Sequence, residues 1–262
     1  MQCGNRQLRP NPVEHDRGSA VPGVETALAA GSRAIPEWRE SLVKGGFVRS
    51  SACQPAAAGF DLIETMAFTP DGGIPLLELH LERLKASAVE LGFAFDRHAV
   101  RNAIQALCFE ADAPSRVRLM VARSGAYALE IGAMPAPFAA PALVAVMHLP
   151  VDAGDWRLRH KTSDREFYDA GLRAARAAGA DEALFLRDDG LVTEGCTTNL
   201  FVERDGRLLT PPARLGLLPG VLRRSLLESG QAVEAELTLH HLKDGFLIGN
   251  AVRGLVAARL LP

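Results

Sequence analysis

The chain alternates between two apolar periods from Phe60 onward. Phe60 to Phe68 has Leu62, Glu64, Met66 and Phe68 on one side and Ile63, Thr65 and Ala67 on the other, which predicts a strand. Pro70-Asp71-Gly72-Gly73 is a turn signal, so Ile74 to Leu77 is expected to return antiparallel. Leu77, Leu81, Leu84, Ala88 and Leu91 then recur at three and four, the spacing of a helix that Gly92 ends. A second amphipathic helix is expected over His98 to Phe109. Arg116 to Ala122 and Tyr127 to Gly132 read as strands joined at Ser124-Gly125. Strand, strand, helix, helix, strand, strand is the order of an α+β layer, with the helices on one face of an antiparallel sheet.

Pro135, Pro137 and Pro141 mark a linker, which puts a domain boundary near residue 137. Beyond it come an apolar strand (142–149), a helix (165–178) before Gly179, and strand pairs flanking Asp188-Asp189-Gly190 and Asp205-Gly206. Pro211-Pro212 stops the second pair, 221–228 is helical, and 246–248 with 255–258 supply the last strands. Residues 1 to about 30 have no sustained period, and a short helix is expected around Trp38. The predicted division is therefore a partly disordered leader (1–58), a small α+β domain (59–137) and a second domain (138–262).

Composition narrows the function classes. With 262 residues and 48% hydrophobic content the chain has enough apolar material for real cores. No apolar run approaches the ~18 residues of a membrane span, and no secretory signal is read, so a soluble cytoplasmic protein is expected. A net charge of −2 supplies no general field for nucleic acid or an anionic membrane, so an anionic ligand must be met by a local site. Cys3, Cys53, Cys108 and Cys196 have no paired metal-ligand spacing, and no metal site is predicted.

The candidate chemistry lies mostly between His160 and Arg224. Of 29 basic side chains only Lys44, Lys85, Lys161 and Lys243 are lysines, and only lysine can condense with an aldehyde. Lys161, between a strand and a helix, is either a solvated loop lysine or an amine whose pKa a cleft lowers. Glu194 follows a hairpin strand; it either bonds nearby backbone amides or holds a protonated ring nitrogen. Thr197, Thr198 and Asn199 either bind an anion or satisfy their own turn. Leu218-Pro219-Gly220-Val221-Leu222 opens a helix whose first amides are unpaired and suit a phosphate. On the first helix Arg83 sits beside the apolar stripe, as a surface arginine or one that reaches into a cleft. An amine, a carboxylate and a phosphate cradle together match the three handles of pyridoxal phosphate.

These residues stand in the order Phe60-Asp61-Leu62-Ile63-Glu64-Thr65, His80-Leu81-Glu82-Arg83-Leu84, Lys161, Asp181-Glu182-Ala183-Leu184, Glu194-Gly195 to Asn199-Leu200-Phe201 and Leu218-Pro219-Gly220. Over roughly 60–262 that order resembles the class IV, fold-type IV pyridoxal phosphate enzymes: branched-chain and D-amino acid aminotransferases and aminodeoxychorismate lyase. The resemblance implies a small α/β sandwich followed by a larger mixed pseudo-barrel, and a homodimer. It further implies Lys161 as the Schiff-base lysine, Glu194 as the partner of the pyridine nitrogen, and Arg83 as a phosphate ligand. Val221 and Leu222 would be backbone phosphate donors, and Asn250 would stand where a hydroxyl residue often meets the phosphate. Arg253 and Arg165 are substrate-side candidates.

Asn250-Ala251-Val252-Arg253-Gly254-Leu255 and Lys161-Thr162-Ser163-Asp164-Arg165 look most like the lyase, which converts 4-amino-4-deoxychorismate to 4-aminobenzoate and pyruvate for folate synthesis. Trp38-Arg39-Glu40-Ser41-Leu42-Val43-Lys44 is similar to the junction in fusions with an aminodeoxychorismate synthase component, which makes that component a possible partner. Glu166 stands where aminotransferases commonly carry a tyrosine. An amino acid aminotransferase and a non-catalytic partner of a synthase subunit are the alternative readings.

Overall fold

A computed structural model describes residues 59–262. The leader, the helix expected around Trp38 and the fusion-like segment at 38–44 lie outside the described residues. Strand β1 (Leu62–Phe68) pairs antiparallel with β2 (Ser115–Val121), which pairs antiparallel with β3 (Tyr127–Ala133). Between β1 and β2 the chain forms helices α1 (Leu77–Leu91) and α2 (Arg97–Phe109). Gly92 ends α1 in the left-handed conformation and returns its N–H to the Ala88 carbonyl. Asp96 caps α2 by accepting from the His98 and Ala99 amides.

Both helices lie on the sheet face that presents Leu62, Met66, Phe68, Val117, Leu119 and Val121. Leu81, Leu84, Ala88, Val100 and Ile104 fill the space between. Each fully buried leucine of this layer contributes roughly 1.5–3 kcal/mol. By alternation Ile63 and Thr65 point the other way, as do Arg118, opposite Thr65, and Arg116, opposite Ala67. This second face fronts the cavity described below.

One expected strand is absent. Ile74 to Leu77 does not return along β1, because Thr69 and Gly73 exchange two backbone hydrogen bonds (2.8 and 3.0 Å) and close the loop on themselves. Pro75 has no N–H to give a ladder, and Leu77 already belongs to α1. The edge of β1 is taken by β2 instead.

The second sheet runs through β4 (Ala142–His148), β5 (Glu182–Leu186), β6 (Val192–Gly195), β7 (Asn199–Arg204), β8 (Arg207–Thr210), β9 (Ala232–Glu234), β10 (Phe246–Asn250) and β11 (Gly254–Leu260). In the order β10-β11-β4-β5-β6-β7, six of these strands form a ring that closes when β7 pairs back onto β10. β4 is parallel to both β11 and β5 while the other pairings in the ring are antiparallel, so this is the mixed barrel that was expected. Val144, Leu184, Val192, Leu200 and Ile248 share one core. On the opposite strand face, Ala183 and Phe185 pack with Tyr168 and Ala175 of α3 (Glu166–Ala177). Helix α4 (Val221–Glu228) seats Leu226 against Phe201 and Ala232. The three-residue β9, parallel to β8, is too short to show a period in the sequence. No helix among the described residues is long and apolar enough to cross a membrane.

Candidate active site

The stretch that carries Lys161 is tied to the first sheet. Ile63 N–H donates to the Lys161 carbonyl (2.9 Å), Ser163 N–H to the Asp61 carbonyl (2.9 Å), and the Ser163 hydroxyl accepts from Asp61 N–H (2.9 Å). These bonds make 161–163 a short antiparallel extension of β1. The residue before it, His160, is buried and meets the hydroxyl of buried Ser87 on α1 at 3.0 Å. Half-buried, Lys161 turns its side chain into a cavity of about 380 Å³ between the outer face of the three-stranded sheet and the barrel strands. Loss of hydration, reinforced by the Arg165 and Arg83 guanidinium groups, pushes its amine down to about 7, which Glu64 and Glu194 only partly oppose. Near neutrality a large fraction is therefore the free base.

Glu194, in β6, lines the same cavity and is 3% exposed. Its Oε1 accepts from the Tyr168 hydroxyl (2.5 Å) and the Leu218 amide (2.9 Å); its Oε2 has only Asn199 Nδ2 at 3.5 Å. Burial pushes this carboxyl up to about 8 in spite of those donors. A buried carboxyl with one oxygen nearly unpartnered is suited to a cationic N–H donor entering the cavity.

The third group is built across two elements. Arg83, on α1, donates to both oxygens of Glu64 on β1, from Nε at 2.8 Å and Nη2 at 2.6 Å, and from Nη1 to the Pro219 carbonyl at 3.4 Å. His80, one turn earlier, sits with Nδ1 2.8 Å from the same carboxylate. Burial favours the neutral acid, yet the Arg83 guanidinium and His80 hold Glu64 at about 2. The guanidinium is thereby fixed beside the start of α4. There Gly220 places no side-chain cap over the first amides, and the first backbone bond of the helix is Arg224 N–H to the Gly220 carbonyl. A Cβ at Gly220 would stand 1.9 Å from Asn199 Oδ1, so only glycine fits. Unpaired amides, the positive end of a helix and a fixed arginine make an anion cradle.

Of the residues expected from the sequence, Lys161, Arg83, Glu194, Thr197, Thr198, Gly220, Val221, Asn250, Arg165 and Arg253 all line this one cavity. Leu222 does not; its side chain packs with Phe201, Leu226 and Ala232. Five of the expected residues are already engaged. The Thr197 hydroxyl donates to Glu182 at 2.5 Å and that of Thr198 at 3.3 Å, so both offer lone pairs to the cavity, not protons. Asn250 gives Nδ2 to the Thr197 carbonyl and takes the Val252 and Arg253 amides on Oδ1, which sets the turn between β10 and β11. Arg165 bonds Asp169 and the Cys196 carbonyl, and Arg253 bonds the Ala136 carbonyl above the Phe138 ring.

Sequence reasoning missed Glu64, His80, Tyr168 and Glu182. A signal existed for the first: Glu64 falls on the apolar side of β1, between Leu62 and Met66, and a carboxylate there requires a partner. Glu182 is buried and holds the Cys196 and Thr197 amides as well as the two hydroxyls, which fixes the turn after Glu194. Pyridoxal phosphate fits these residues: an amine of low basicity, a carboxyl with one oxygen nearly unpartnered and an anion cradle open on one cavity.

Comparison with known proteins agrees. The profile of the family described as amino-transferase class IV matches residues 61–261. A Mycobacterium tuberculosis protein named bifunctional aminodeoxychorismate lyase / D-amino acid transaminase is 30% identical over 205 residues, which cover 68% of this chain and 71% of that one. A Schizosaccharomyces pombe protein, provisionally named aminodeoxychorismate lyase, is 29% identical over 196 residues, covering 71% and 82%. The crystal structure of a provisionally named amino-acid aminotransferase from Mesorhizobium loti superimposes with a TM-score of 0.72 at 36% identity, covering 77% of this chain and all of that one. A cavity that joins this amine, this carboxyl and this cradle, on a barrel matched along almost all of the described residues, means that the chain belongs to the class IV aminotransferase family, whose cofactor is pyridoxal phosphate.

Proposed function

We propose that this chain is a lyase that converts 4-amino-4-deoxychorismate to 4-aminobenzoate and pyruvate. The observation that carries the reading is the cationic excess of the cavity. Arg83, Arg116, Arg118, Arg165, Arg176 and Arg253 line it; Glu64, Glu130 and Asp169 pair with Arg83, Arg116 and Arg165, which leaves Arg118, Arg176 and Arg253 without an acidic partner among the described residues. The buried Nε of Arg118 is unbonded. A substrate with two carboxylates answers that excess, because a guanidinium fork suits a carboxylate. Glu166, in the place of the common aminotransferase tyrosine, is exposed and paired with Arg173, away from the cavity.

In this reading Arg83 and the first amides of α4 hold the cofactor phosphate, and Glu194 faces the ring nitrogen. When bound, pyridoxal phosphate supplies an aldehyde for the substrate amine and a ring that accepts the electron pair of the neighbouring C–H bond. Lys161, as a free amine near pH 7, takes the proton from the amine-bearing ring carbon of the substrate and returns one. Arg118 and Arg253, neither of which has an acidic partner among the described residues, orient the substrate carboxylates. Departure of the enolpyruvyl group leaves an aromatic ring, and aromatisation drives the step. A homodimer belongs to the same proposal and is supported by Tyr127, Ile131 and Met134, exposed along and just beyond edge strand β3; sedimentation equilibrium is expected to give twice the chain mass.

Mixing the loaded enzyme with 4-amino-4-deoxychorismate and no keto acid tests the reaction. Pyruvate released over many turnovers is the expected result. The second reading, an amino acid aminotransferase, is favoured by the name of the Mesorhizobium loti structure. It predicts a single half-turnover with no pyruvate, and that outcome removes the lyase.

A further inference from the structure

We propose that Tyr168 sets the protonation state of Glu194 and, through it, the charge on the ring nitrogen of the bound cofactor. This rests on the reading that Glu194 faces that nitrogen. Tyr168 then serves as a positioning residue, acting through Glu194.

The geometry distinguishes the two carboxyl oxygens. Tyr168 OH and Leu218 N–H both end on Oε1, at 2.5 and 2.9 Å, so Oε2 is the oxygen left for a donor from the cavity. A hydroxyl that donates to a carboxylate stabilises its charged form, and the short contact is of the charge-assisted kind. Burial already holds Glu194 at about 8, so near neutrality the acid form prevails until a cation enters the cavity; without the Tyr168 donor its ionisation is harder still, and its attraction for a protonated nitrogen is weaker. Burial and the Glu194 charge hold the Tyr168 phenol well above its usual range, so it remains a donor. The ring is also fixed in place. It is 6% exposed, its centroid lies 4.1 Å from Phe167 and 5.9 Å from Phe185, and the Arg165 guanidinium stands 5.4 Å over its face. The charged and titratable groups around the pair are Lys161 and Arg165 from the segment before α3, and Cys196 from the turn after β6.

Tyr168→Phe removes one oxygen and keeps the packing. The expected result is about a tenfold weaker dissociation constant for pyridoxal phosphate, titrated by absorbance into the apoprotein. Turnover is expected to fall with KM nearly unchanged, and the pH profile of the bound cofactor's visible band to shift. In a Glu194→Gln background the same substitution is expected to change none of these, because its route is gone. A further tenfold loss in that background means that the Tyr168 hydroxyl acts by a route independent of Glu194 and overturns the proposal. Glu194→Gln with unchanged affinity and spectrum fails differently: it overturns the placement of Glu194 at the ring nitrogen, and the role of Tyr168 with it.

Discussion

Lys161→Ala and Lys161→Arg are each expected to lower turnover by at least about 10³-fold while the fold persists, the scale of losing a positioned base and nucleophile together. Arginine keeps the positive charge but has no free amine at any working pH, so it separates the chemistry from the charge. The apoprotein supplies an independent readout. With the amine held at about 7, the rate at which added pyridoxal phosphate is captured, followed by absorbance, rises with pH through about 7 and then levels. An ordinary lysine would continue to rise toward about 10. The stability linkage has the matching sign. Between about 7 and the unfolded value near 10.5 the unfolded chain binds the extra proton, so this group makes apoprotein stability increase with pH across that window. Lys161→Met is expected to remove that slope. A variant with wild-type turnover, or a capture rate still climbing at pH 9, refutes the assignment.

Most of the site was legible because its residues fall at places where local rules speak. Gly220 follows Pro219 at a helix start, Arg83 lies one turn after His80 beside an apolar stripe, and Lys161 is one of four lysines in the chain. The strands of the barrel could be read from Asp-Gly turns and alternation. Its closure could not, because the pairing of β7 with β10 joins residues about 48 positions apart and leaves no mark on either strand's period. The same reason hid the partners. Tyr168 reaches Glu194 across 26 positions and Glu182 reaches Thr197 across 15, and neither separation is a helical or a strand interval. Asn250 and the two threonines show the converse. All three line the cavity, yet they also hold backbone and carboxylate in the fold, a second duty that place in the chain does not reveal.

Glu64→Gln is expected to destabilise the folded chain strongly, and its effect should depend on acid. Glu64 is 1% exposed and carries both Arg83 and His80. Its carboxyl lies at about 2 in the folded chain against an ordinary 4.5, so the native state favours the ionised form. A depressed carboxyl contributes stability that is fully present above about 4.5 and disappears as pH falls through about 2; the shift corresponds to about 3 kcal/mol. Glutamine retains the shape and loses the charge, so Arg83 is left without its counterion in a mostly buried position, a change that typically costs about 3–5 kcal/mol. Urea unfolding should therefore show a deficit of that size at pH 7, shrinking toward pH 3. Cofactor retention should fall in parallel, because Arg83 loses the two bonds that aim it at the start of α4. An equal deficit at both pH values would mean that the loss comes from the mismatched amide of glutamine and not from the missing charge. The Arg83 cradle would then have to be held by Pro219, whose single 3.4 Å contact is too long and too weak to fix a guanidinium.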